Sequence, residues 1–207
     1  ITKNIGLSKS LAQKSADQNN LGGLWVLGEI SLVEEQFLVA EMQFEIALKT
    51  DENLKFSNPI LFALISDSLG RLKQDLGKIS EAKKIIEDVL EVKKDLYGKN
   101  SNDYVRSLNI LAGLNFDRRQ FEKAGRLFSE CIDLIDNNVD GEISLKIELL
   151  HNLGLLYAAQ ERLDLARDYI NSAISLYESS ELSGSLSLAQ IFNTQAVISI
   201  RMRDLAS

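Results

Sequence analysis

The 207-residue chain carries one proline, one cysteine, one histidine and one tryptophan. Each scarcity excludes something. Proline removes a backbone donor and clashes with the preceding turn of a helix, so a chain whose only proline is Pro59 reads as helical. The lone Cys131 rules out an internal disulfide and a cysteine-rich zinc site. The lone His151 rules out a histidine-rich metal site. Lysine and arginine total 23 against 30 aspartates and glutamates, a formal charge of −7. That sign is wrong for a phosphate backbone, so nucleic acid is not an expected partner. No run approaches the ~18 apolar residues that mark a membrane helix, and residues 1–10 lack the charged-then-apolar layout of a signal peptide. No membrane insertion is expected, and a reducing compartment, cytoplasmic or organellar, suits the free thiol. A P-loop, G-x-G-x-x-G, G-x-S-x-G and H-E-x-x-H are all missing. No catalytic residue, metal site or cofactor is therefore expected.

What is present is a repeat. A small residue recurs at Gly28, Gly70, Ala112, Gly154 and Ala196, a constant step of 42. Twelve residues after each of the first four stands an alanine: Ala40, Ala82, Ala124 and Ala166, again 42 apart. Around these anchors apolar residues fall at helical spacing. In the fourth unit they are Leu150, Leu153 and Tyr157, then, after a turn at 160–162, Leu163, Ile170, Ala173 and Ile174. That pattern predicts two amphipathic helices per unit. Glycine inside a helix costs about 1 kcal/mol against alanine. Three glycines at one phase therefore point to a close helix crossing, where small residues let two backbones approach. Asn58 before Pro59 reads as a helix start, with Ser101 or Asn102, Asp140, and Ser183 or Ser185 at similar phases.

The set Leu150, Leu153, Gly154, Tyr157, Ala166, Ile170 and Ala173 resembles the tetratricopeptide repeat (TPR), a helical hairpin of 34 residues in its usual form. The longer unit here is similar to the repeats of kinesin light chains, and the stretch 95–114 is the nearest echo, although the His-Pro those repeats carry before the first helix is replaced by Asn58-Pro59 at a single place. The resemblance implies an all-α fold: a right-handed α-α superhelix of about five TPR hairpins, incomplete at both ends. Residues 1–16 read as the tail of an earlier second helix, and repeats fall at about 21–56, 60–98, 102–138, 144–180 and, in part, 186–207, as one solenoid. Neither end shows a polar cap, so further repeats or a partner chain are expected at each end.

The same resemblance implies where a ligand sits. With about 100° of rotation per residue, the side of each first helix opposite the small-residue seam lines the inner surface of a stacked TPR array. Asp67, Arg71, Arg106, Asn109, Phe116, Glu148, His151, Asn152 and Asn193 occupy that side and form the candidate groove. Asparagine suits such a surface because its amide both donates to and accepts from an extended peptide backbone. Trp25 is either a groove anchor or part of the seam between repeats. The repeats that bind chaperone C-termini carry lysine and asparagine where this chain has Trp25 and Glu29, which argues against that role. Cys131 fills the slot held elsewhere by Ala47, Val89 and Ala173 and reads as a buried structural thiol. Three functional readings follow: a non-catalytic adaptor that binds a peptide or partner segment in its groove, a structural subunit or assembly factor held in a multiprotein complex through its outer surface and ends, or a peptide-sensing regulatory domain.

Overall fold

The computed structural model describes residues 2–18, 20–138, 141–180 and 186–204. Asp140, Ser183 and Ser185, expected near helix starts, lie outside the described residues. Among the described residues every regular element is a helix and no strand occurs, in line with the all-α expectation. The chain forms two compact units, Ile1–Leu96 and Tyr97–Ser207.

The first unit holds α1 (Thr2–Asp17), α2 (Leu21–Val33), α3 (Phe37–Thr50), the single turn α4 (Leu54–Ser57), α5 (Pro59–Asp75) and α6 (Ile79–Tyr97). Helix α2 packs between α1 and α3, and α3 packs on α5. The second unit holds α7 (Asn102–Asp117), α8 (Phe121–Asp136), α9 (Ile143–Ala159), α10 (Leu163–Glu178) and α11 (Leu186–Asp204). Here each helix packs on the next, while α9 also touches both α7 and α11. The first helices α7, α9 and α11 thus form one layer, and α8 and α10 the other. Helix starts follow the residues that can satisfy free backbone donors. Asn58 accepts from the Leu61 N–H at 3.1 Å with Pro59 behind it, and Ser101 accepts from the Tyr104 N–H at 3.2 Å. Glu142, ahead of α9, makes no such cap.

The small residues sit where the two helices of a hairpin cross. A Cβ placed on Gly154 would come within 2.6 Å of Ile170 Cδ1, one on Gly70 within 2.5 Å of Ile86 Cδ1, and one on Gly28 would collide with the Phe44 ring. The large partners Phe44, Ile86, Phe128 and Ile170 are themselves 42 residues apart and almost wholly buried. Gly23 serves a different crossing: a Cβ there would meet α1 backbone, 2.6 Å from the Ala16 nitrogen. Behind the crossings, Ala40, Ala82, Ala124 and Ala166 have no exposed surface, and neither have Ala47, Val89, Cys131 and Ala173. The Cys131 thiol lies 3.8 Å from the Val105 carbonyl oxygen, and burial pushes its pKa well above the ordinary thiol value.

The hairpin turns repeat with equal regularity. Residues Glu35, Gly77, Arg119 and Glu161, 42 apart, all have positive φ, between 56° and 73°. Each donates its N–H three residues back, and the next residue donates five back: Gln36 to Ser31, Lys78 to Lys73, Gln120 to Asn115 and Arg162 to Tyr157, at 2.7–2.9 Å. This is the Schellman closure of a helix C-terminus, which places one residue in the left-handed region. Only one of the four is glycine, so three turns carry the strain of a Cβ in that region.

A buried ion network crosses three helices of the first unit. Lys73 of α5 is 3% exposed, and its ammonium lies 2.8 Å from Glu41 and 2.9 Å from Glu45 of α3 and 2.6 Å from Glu81 of α6. Lys78 reaches the same Glu41 at 2.6 Å. Burial works against the Lys73 charge, but the three carboxylates outweigh it and raise its pKa above the lysine norm. Hydrogen bonds from Lys73, and from Lys78 in the case of Glu41, hold Glu41 and Glu45 below the usual carboxylate range.

Two expectations follow. Arg119→Gly should stabilise the protein by about 0.5–1 kcal/mol, the relief of left-handed strain less the added freedom of the unfolded chain, whereas Gly77→Ala should cost about 1 kcal/mol; chemical denaturation of the two variants checks the opposite signs. Lys73→Met should destabilise at pH 7 by about 3 kcal/mol, the low end for a broken buried pair because Lys78 still reaches Glu41. Carboxylates with lowered pKa stabilise above their unfolded pKa and lose that contribution as pH falls through the folded one. The gap between wild type and Lys73→Met in urea melts should therefore narrow as pH drops below about 4.3.

Candidate functional site

The layer α7, α9 and α11 encloses a cleft of about 730 Å³ within the second unit. Arg106 comes from α7, Glu142 from the linker, Ser144, Ile147, Glu148, His151, Asn152 and Leu155 from α9, and Gln190, Ile191, Asn193 and Thr194 from α11. Arg201 of α11 anchors this arrangement at the far end. It donates to the Ala158 carbonyl at 3.2 Å and pairs with Glu161, so a cation sits at the negative terminus of α9.

Five of the nine residues expected in the groove line this cleft: Arg106, Glu148, His151, Asn152 and Asn193. The other four are placed differently. Asn109 is 6% exposed and sits below the cleft, with its amide engaged at both ends. Its Nδ2 donates to Glu148 Oε1 at 2.7 Å, and its Oδ1 accepts from Asn152 Nδ2 at 3.0 Å. The amide expected to meet a bound backbone instead orders a chain running Asn152, Asn109, Glu148. The Phe116 ring packs against Phe121 across the α7–α8 turn, with centroids 5.7 Å apart. Asp67 and Arg71 belong to α5 of the first unit. There Asp67 pairs with Lys93, while Arg71 is exposed. Trp25 packs on the core around Phe44 and Leu69, which is the seam alternative.

Charge in the cleft is partly settled from within. Arg106 pairs with Glu142, whose carboxyl is held below the usual range by the Ser144 hydroxyl, 2.6 Å away, and then by Arg106. His151 Nε2 lies 3.0 Å from Thr194 Oγ1, and that hydroxyl donates to the Gln190 carbonyl at 3.0 Å. With its one proton spent, Thr194 accepts from His151, which places the ring proton on Nε2. Burial lowers the His151 pKa, so the ring is neutral at pH 7. Glu142 and Thr194 were not anticipated: Glu142 lies in a linker, and Thr194, which holds the place of Asn152 one repeat on, was not among the residues expected in the groove. The Asn193-Thr194 pair, set 42 residues beyond the His151-Asn152 pair, carried the signal.

Among the described residues, one group of carboxylates, Glu41, Glu45 and Glu81, lies close enough together to share a cation. The Lys73 ammonium already bridges all three. Among the described residues no helix is long and apolar enough to cross a membrane.

Comparison with known proteins places this architecture. Tetratricopeptide-repeat family models match residues 63–103 and 103–179, together more than half of the chain. No curated protein matches. Among solved structures, BtubC (BKLC) from P. vanneervenii superposes with a TM-score of 0.75 at 21% identity, covering 98% of this chain and 83% of its own. A putative kinesin light chain of nearly identical TPR-like repeats from Podosopora anserina gives 0.56 at 16% identity, covering 94% and 85%. The MamA fragment from Desulfovibrio magneticus RS-1 gives 0.60 at 14%, covering 86% and 97%. At such identities the likeness is one of fold. Together with the repeat register and the hairpin geometry, these matches establish that the chain belongs to the tetratricopeptide-repeat family.

Proposed function

We propose that the protein is a non-catalytic interaction scaffold that holds an extended peptide or partner segment in the cleft between α7, α9 and α11. The observation that carries this reading is the cleft itself: Asn152 of α9 and Gln190, Asn193 and Thr194 of α11 line it together with Arg106 of α7 and the half-buried, apolar Leu155. Side-chain amides can pair with an extended backbone whatever its side chains, and Leu155 supplies apolar contact area. The net charge of −7 weighs against nucleic acid as the partner. The lone buried thiol suits a reducing compartment.

A structural subunit gripped through its outer face is the second reading, and a separate observation favours it. On α3, Leu38, Met42 and Ile46 follow one another at helical spacing and are 73%, 55% and 43% exposed. A row of apolar side chains on an outer helix is the kind of patch a partner covers.

The two readings separate in a capture experiment. Partner proteins are pulled down with the chain and identified, and capture is then measured for two variants. Leu155→Arg with Asn193→Ala should weaken capture by about 2 kcal/mol or more, as expected when contacts at the centre of an interface are lost. Helicity should be unchanged, and Met42→Glu should bind as wild type. Loss of capture with Met42→Glu and retention with the cleft pair would instead support the outer-face subunit.

A further inference from the structure

The cleft's charges do not balance, and the imbalance identifies a ligand class. This step rests on the reading of the cleft as a peptide site. Of the three charged side chains lining it, Arg106 and Glu142 are paired with each other. His151 is neutral and engaged with Thr194. Glu148 remains: among the described residues its hydrogen-bond partner is the uncharged Asn109 amide, and no cation pairs with it. One acceptor position of its carboxylate is used, out of about four. The Asn152–Asn109–Glu148 chain fixes that carboxylate in place before any ligand arrives, so little ordering is left to be done on binding. Apolar surface from the half-buried Leu155 lies in the same cleft, suited to the methylene stem of a long cationic side chain whose head seeks an anion.

We propose that the peptide bound in this cleft presents a lysine or arginine to Glu148, and that the cleft selects basic over acidic segments. An acidic ligand would find its counter-ion, Arg106, already held by Glu142. It would also place like charge beside Glu148, which costs affinity.

The test uses the whole chain and a displayed library of random dodecapeptides. Selection on wild type should enrich lysine or arginine at one peptide position. Selection on Glu148→Gln, which keeps the amide contact and removes the charge, should lose that enrichment. A winning peptide, synthesised and titrated calorimetrically, should bind Glu148→Gln about tenfold more weakly or worse, as for a lost charge-assisted hydrogen bond. The difference should shrink in high salt only to the extent that the pair is exposed. Winners that Leu155→Arg abolishes but that show no basic preference, or that bind Glu148→Gln as tightly as wild type, overturn the charge assignment and leave the peptide cleft standing. No winners, or winners indifferent to Leu155→Arg, overturn the cleft reading as well.

Discussion

Everything regular about this protein depends on how closely two helices of one hairpin can cross. At that crossing a residue with little or no side chain on the first helix receives a large side chain from the second: Gly28 under Phe44, Gly70 under Ile86, Gly154 under Ile170. Ala112 and Phe128 hold the matching places in the third repeat, both buried. Close packing of this kind leaves no room to exchange volumes freely, because protein interiors are as dense as organic crystals. The left-handed residue that ends each first helix follows from the same demand. A chain that must reverse within a few residues and bring its second helix onto a glycine has few ways to close the turn. Three repeats therefore accept a non-glycine residue with positive φ rather than lengthen the connection.

Steric requirements of this kind leave marks on residue type, which is why the repeat was legible from sequence. Glycine and alanine at fixed intervals of 42 have no competing explanation, and the helical hairpins follow from them. Other features were not legible because their residues look ordinary. Glu35, Arg119 and Glu161 give no hint of positive φ, since their conformation is imposed by the hairpin rather than by their own preference. Lys73, Glu41 and Glu81 lie far apart in the sequence or carry no shared pattern in it; only the packing of α3, α5 and α6 brings them together. Arg106, Glu148, His151, Asn152 and Asn193, expected on the inner face, line one cleft. Rotation about a helix cannot tell a displayed amide from one engaged below the surface, and Asn109 is the case in point.

The cleft draws its chemistry from the same regularity. Because α7, α9 and α11 are equivalent helices of successive units, their side chains meet at a spacing close to one repeat. Asn109 meets Asn152 43 residues on, His151 meets Thr194 after another 43, and Asn109 meets Glu148 after 39. Contacts between repeats thus order the groups that face the cleft, and a ligand there would meet donors and acceptors already held in position. The first unit spends its comparable polar side chains on itself, joining Glu29 to Ser68 and Asp67 to Lys93.

The central claim is that small-under-large packing at the hairpin crossing sets the fold, and a volume exchange tests it most directly. Gly154→Val should destabilise by about 1–3 kcal/mol through overpacking against Ile170. Ile170→Ala should cost about 2–5 kcal/mol through the cavity it leaves. In the double variant the valine occupies the space the isoleucine vacates. Its loss, measured by denaturant unfolding, should therefore fall short of the sum of the single losses by at least about 1 kcal/mol. If the two losses instead add to within about 0.5 kcal/mol, the residues do not share one packed volume, and the account of the crossing is wrong.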